Sequence, residues 1–151
     1  MMLYDHPYST LVGRILLGAI FLLSEINKIA DPGGTQGHMV AMGMTWGTTL
    51  FYLGAIIIEV GGGLSLWLGY WTRVGAALLI GFMIPTTLIF HTNFADANQM
   101  IHFMKNLAMT GGLLYLATYG PGPMSLDRRM SGEIGMGFHE DTVRMRRRAS
   151  A

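Results

Sequence analysis

The sequence predicts an all-α membrane protein: a four-helix transmembrane bundle with short outward loops and a basic cytoplasmic C-terminal tail. Three observations predict it. Of the 151 residues, 51% are hydrophobic and only 13% are charged, about half the roughly 25% that a soluble domain carries. The apolar residues gather into four runs, each about as long as a bilayer crossing requires. The charge is also segregated. Residues 1–123 hold four bases (Arg14, Lys28, Arg73, Lys105) and five acids (Asp5, Glu25, Asp31, Glu59, Asp96). Residues 124–151 hold six arginines and four acids (Asp127, Glu133, Glu140, Asp141). The chain therefore divides into a four-span membrane domain over 1–123 and an Arg-rich tail over 124–151.

The first run, Leu11–Ala30, has 20 residues, about 30 Å as a helix, which matches the hydrocarbon thickness of a membrane. It lacks a basic n-region and carries Arg14, Glu25 and Lys28 inside it, so it reads as a span and not as a signal peptide. Asp31–Gly47 is a Gly- and Met-rich connection without Lys or Arg, holding a short interfacial segment. The second span, 48–70, contains Ala55-Ile56-Ile57-Ile58 and then Gly61-Gly62-Gly63, where a partner helix can approach closely. Gly69–Arg73 is a tight turn whose Tyr70, Trp71 and Arg73 form an interfacial aromatic-and-base signature. The third span, 74–91, is almost wholly Ala, Leu, Ile, Gly and Phe, with Pro85 accommodated by its neighbours. It offers no polar stripe, as a helix of a soluble bundle would. Thr92–Met100 again has no base. The fourth span, 101–119, is the least apolar, opening with His102 and Lys105, and Gly120-Pro121-Gly122-Pro123 ends it.

Composition excludes several functions. A net charge of +1 gives no basic field for nucleic acid. Zero cysteines exclude disulfides, iron–sulfur clusters, thiolate zinc and dithiol chemistry by this chain. The tail arginines (Arg128, Arg129, Arg144, Arg146, Arg147, Arg148) and the Gly69–Arg73 turn are the basic segments, and the positive-inside rule places both in the cytoplasm. With four spans the N-terminus is cytoplasmic too. The run Arg144-Met145-Arg146-Arg147-Arg148 can attract anionic lipid.

An ionisable group in a span costs on the order of 2.5–3.5 kcal/mol, so each needs a partner or a role. Arg14, Gly18, Phe21, Glu25 and Lys28 follow steps of four, three, four and three, which puts them on one helical face. Glu59 falls near the middle of the second span, His91 ends the third, and Lys105 shares a face of the fourth with Gly112, Tyr115 and Tyr119. The topology then gathers Glu25, Lys28, His91 and Lys105 in the outer half of the bilayer, with Glu59 below them and Arg14 and Arg73 in the inner half. Buried ion pairs fixing helix register, with Arg14 and Lys28 snorkelling to the interface, are one reading. A proton site is another, because a histidine beside carboxylates exchanges protons near neutral pH. A cationic, tyrosine-lined pocket for a quinone head group or a small anion is a third. Separately, His38, Met39, Met42 and Met44 cluster in an outward loop. Thioether and imidazole ligands suit Cu(I), although methionine also fills gaps in apolar bundles. Haem would need two axial ligands at bilayer depth, and only His91 approaches that position.

Gly13-Arg14-Ile15-Leu16-Leu17-Gly18 with Lys28, Glu59-Val60-Gly61-Gly62 and Leu68-Gly69-Tyr70-Trp71-Thr72-Arg73 stand in fixed order. Phe90-His91, Lys105-Asn106-Leu107-Ala108 and the exit Gly120 to Asp127 follow. Together they resemble the DoxX family of small bacterial membrane proteins, over most of the chain. The resemblance implies a four-helix bundle in the bacterial inner membrane, associated with redox machinery such as quinone-linked oxidoreductases. Carried over by position, the family's polar residues correspond to Arg14, Lys28, Glu59, Arg73, His91, Lys105 and Asn106. Ser24-Glu25 departs from the family pattern, which commonly has a small residue after the serine. The leading expectation is a non-catalytic accessory subunit of a membrane redox complex, with lipid and protein partners and a quinone as the candidate cofactor. A proton- or anion-coupled transporter and a purely structural membrane protein stay open, and glycine-rich faces would allow self-association.

Overall fold

The computed structural model describes residues 7–132, which are helical apart from short connections. Five helices follow one another: α1 (Pro7–Ala30), α2 (Pro32–Ala41), α3 (Thr48–Leu68), α4 (Thr72–Phe90) and α5 (Ala97–Tyr119). A further helical turn begins after the exit from α5, over 126–132. The Arg144–Arg148 run lies outside the described residues.

Local chemistry sets the boundaries. The connection after the first span is largely the helix α2, because Asp31 caps it by accepting from Gly34 N at 2.8 Å and Pro32 opens it. α3 stops at Leu68, two residues before the expected end, since Gly69 turns left-handed at φ 67°. α5 begins at Ala97, four residues earlier than expected, because the Asp96 side chain accepts from Asn98 N at 2.9 Å. Its C-cap is Gly120 at φ 83°, where the Gly-Pro-Gly-Pro sequence predicts a stop.

α1 lies mainly against α3, α3 also against α4, and α4 against α5, while α5 touches α1 more lightly. Glycine makes the close approaches possible. A Cβ on Gly18 would sit 2.6 Å from Trp67 Cδ1 and 2.9 Å from the Gly63 carbonyl oxygen. Gly62 is covered by Leu79 and Gly75 by Ser65, which seats α4 on α3. Gly61, by contrast, faces open space. Gly18→Ala is therefore expected to push α1 off α3 and to cost about 1–3 kcal/mol. Gly61→Ala should leave thermal unfolding in detergent nearly unchanged.

The distribution of side chains is the inverse of a soluble protein's. Arg14, Glu25 and Glu59 are 1%, 2% and 5% exposed, whereas Leu16, Leu23, Ile57 and Leu88 lie on the outer surface. Phe21, Leu66, Leu79, Met83 and Leu113 form the apolar centre between α1, α3, α4 and α5. Three helices among the described residues are long and apolar enough to cross a bilayer: Tyr8–Ala30, Thr48–Leu68 and Thr72–Phe90. α5 has 23 residues, but its first half carries Asn98, Gln99, His102, Lys105 and Asn106 and is correspondingly less apolar than the other three.

Candidate functional site

α1 contributes Glu25 and Lys28, one turn apart on the face it buries, and α3 contributes Glu59. The Lys28 ammonium donates to Glu25 Oε1 and to Glu59 Oε1, both at 2.6 Å. The same nitrogen stands 5.9 Å from the centre of the Phe82 ring. Tyr52 of α3 donates its hydroxyl to the Lys28 carbonyl at 3.1 Å, satisfying an acceptor left free at the end of α1. One oxygen of Glu25, Oε2, is buried without a hydrogen-bond partner. Two carboxylates share one ammonium, so the set carries −1 when fully ionised and zero when it holds one proton.

Lys28 and Glu59 form part of the wall of a cavity of about 880 Å³, between the C-terminal end of α1, α2, the first half of α3 and most of α4. Glu25 is buried behind them. Phe51, Phe82, Phe90, His38 and His91 add rings to a mostly apolar wall, and Ser24, Asn27, Asp31, Thr35 and Thr86 add further polar groups. Pro85, also in the wall, has no N–H to give the Gly81 carbonyl. α2 lies over the cavity, held by Thr49 Oγ1 donating to Gln36 Oε1 at 2.8 Å and by His38 stacked on Phe90 at 6.0 Å.

The remaining expected residues separate into other places. His91 reaches the cavity; its Nδ1 is 2.8 Å from Gln99 Oε1 and its ring stacks on His102 at 5.1 Å. Lys105 corrects the expectation of a five-member polar core. It is exposed and stands 3.3 Å from His102 Nδ1, not with the carboxylates. One residue further, a rotation of about 100°, Asn106 turns inward and donates to Thr87 Oγ1 at 2.9 Å. The face carrying Lys105, Tyr115 and Tyr119 is likewise outward, the two tyrosines being 51% and 63% exposed, and neither ring lines the cavity that holds Lys28. Arg73 is exposed near Gly120, in a separate cleft of about 500 Å³ with Tyr70, Trp71 and Asp127.

Arg14 is buried, so it does not snorkel. Its Nη1 donates to the Leu66 and Trp67 carbonyls at 2.7 and 3.2 Å, and its Nη2 to the Met124 carbonyl at 2.8 Å. It thus caps the C-terminal end of α3 with a cation and ties the exit from α5 to it. Asp127 completes this clamp: its carboxylate accepts from Trp71 N at 2.7 Å and Thr72 N at 3.0 Å, holding Trp71 at φ 49°. Met124 to Asp127 therefore pack against the helices. Of the copper candidates, His38, Met39 and Met44 line the cavity, whereas exposed Met42 lies outside it.

Sequence reading missed Tyr52, Phe82, Thr87 and Gln99. The signal for Tyr52 was present, since Tyr52, Ala55, Glu59, Gly62 and Leu66 recur at helical spacing and are all buried.

The DoxX family model matches residues 9–92, a stretch that includes every residue lining the larger cavity. The chain is 42% identical over 122 residues to "Inner membrane protein YqjF" of Escherichia coli, covering 80% of this chain and 91% of that protein. It is 34% identical over 129 residues to "Inner membrane protein YphA" of the same organism, covering 82% and 91%. No solved structure matches it.

Proposed function

The chain belongs to the DoxX family of membrane proteins, and from that premise we propose that it is a non-catalytic subunit of a membrane redox complex, holding a quinone head group against Lys28 and Glu59. α5 makes the fourth crossing of the inner membrane, and the N-terminus and the Arg-rich tail both lie in the cytoplasm. The carrying observation is the Lys28 ammonium, bridged to two buried carboxylates yet part of the wall of an 880 Å³ cavity. Small-molecule sites typically have about 300–1,000 Å³, apolar walls and a few convergent polar groups. A quinone presents two carbonyl acceptors and a quinol two hydroxyl donors. Lys28 donates to the first and Glu59 accepts from the second, so the pair serves both oxidation states. The chain has no cysteine to hold a cluster or form a dithiol, so on this reading those electron carriers belong to partner subunits. The charge count also weighs against a small-anion path, because two carboxylates face one ammonium.

Purification in a mild detergent tests this reading. Near-stoichiometric quinone should appear in the organic extract together with a co-isolated oxidoreductase. Glu59→Gln should lower quinone retention about tenfold, the equivalent of about 1.4 kcal/mol for one charge-assisted hydrogen bond. An extract containing phospholipid alone, from a chain that isolates without partners, would falsify the assignment.

A further inference from the structure

We propose that the cavity is loaded sideways from the lipid, through a slot between α3 and α4, and that its occupant is an amphiphile with a hydrocarbon chain and an uncharged, hydrogen-bonding head. The inference rests on reading the cavity as a ligand site, but not on the occupant being a quinone.

α3 and α4 are held together at one end, where Gly62 meets Leu79, Gly75 meets Ser65 and the turn at Gly69 joins them. Towards the other end the cavity stands between them. Three of its wall residues are also outer-surface residues: Leu50 of α3 is 73% exposed, and Leu78 and Ile89 of α4 are 53% and 49% exposed. Wall residues this exposed put the mouth of the cavity beside α3 and α4, on the side that faces acyl chains. Gly54 and Gly81 line the same wall, and a Cβ on either would meet nothing within 4 Å. A slot lined by glycine and aliphatic groups admits a methylene chain without desolvating anything polar.

The approach from water is different. α2 covers it, pinned through Asp31, Gln36–Thr49 and His38–Phe90. The head group's chemistry follows from the ions beneath. Lys28 is already matched by Glu25 and Glu59 at 2.6 Å each, so an anionic head meets excess negative charge. A cationic head meets the Lys28 ammonium, which itself stands in the wall beside Glu59. An uncharged head with hydroxyl or carbonyl groups meets both a donor and an acceptor, and its chain continues along the aliphatic wall to the bilayer.

The test uses the full chain in vesicles of phosphatidylethanolamine and phosphatidylglycerol, labelled by a diazirine-bearing sixteen-carbon alcohol and mapped by mass spectrometry. Phe51 and Phe82 should be labelled, and an excess of the unmodified alcohol should suppress that labelling. Gly54→Leu and Gly81→Leu, each separately, should reduce it at least fivefold while leaving the melting temperature unchanged. A short, water-soluble diazirine alcohol should label the same wall at least tenfold less, and Gln36→Ala with His38→Ala should leave long-chain labelling within twofold. Equal labelling by the short probe would overturn the proposal. So would glycine variants that label like the parent, or lid variants that alone control access. Because no quinone is used, a failed quinone extraction and a failed sideways entry are separate results.

Discussion

Replacing Lys28 with methionine is expected to destabilise the folded protein by about 3–5 kcal/mol, the usual consequence of leaving buried charge without its partner. Glu25 and Glu59 are 2% and 5% exposed, and each places an oxygen 2.6 Å from the lost ammonium. Without it, two carboxylates from different helices face each other in a region with little water. The repulsion acts between α1 and α3, the pair that also depends on the close contact of Gly18 with Gly63. A triple variant, Lys28→Met with Glu25→Gln and Glu59→Gln, removes the charges and keeps the shapes. It should recover at least 2 kcal/mol relative to Lys28→Met alone, since the loss comes from unpaired charge and not from lost packing. Thermal unfolding in detergent, read by the loss of the monodisperse species, distinguishes these outcomes. A Lys28→Met protein that melts with the parent would show that the ion set carries no stability.

Arg14→Ala should be comparably damaging, at about 3 kcal/mol or more. It strands the Leu66, Trp67 and Met124 carbonyls, which receive charge-assisted donors from one guanidinium; such bonds contribute roughly 1.5–3 kcal/mol each and do not add fully. Arg14→Lys keeps the charge but not the planar fork that serves three acceptors at once, so it should restore only part of the loss. Limited proteolysis reports the local consequence. With Arg14 gone, cleavage near Met124 should appear well below the global unfolding temperature. An Arg14→Ala chain as resistant there as the parent would mean the exit segment is held by Asp127 alone.

Much of this arrangement could be read from periodicity. The face Arg14, Gly18, Phe21, Glu25, Lys28 was legible because a 3.6-residue period leaves a single solution once a charged residue must avoid lipid, and Arg14, Gly18, Phe21 and Glu25 are buried with Lys28 beside them. Glu59 followed from the same demand. Lys105 did not, because α5 carries polar groups on two faces: Asn106 points inward and Lys105 outward, and neither neighbour forces the choice. The family resemblance included both residues and could not decide the rotation either. α2 was hidden by three glycines, and only its Asp-Pro opening signals a helix start. The clamp at the opposite end was beyond sequence reading, since Asp127 meets Trp71 across 56 positions, and only the tertiary fold brings such partners together.

Arg14 belongs to α1, yet its partner carbonyl at Met124 is made 110 positions later. At a translation rate of about 5–20 residues per second, that acceptor arrives roughly 5–20 s afterwards. In the interval the growing chain holds a cation without its full set of acceptors. Only the arrival of that last carbonyl completes the set around the guanidinium, so the contact of α1 with the end of α3 gains its final tie after α5 has been made.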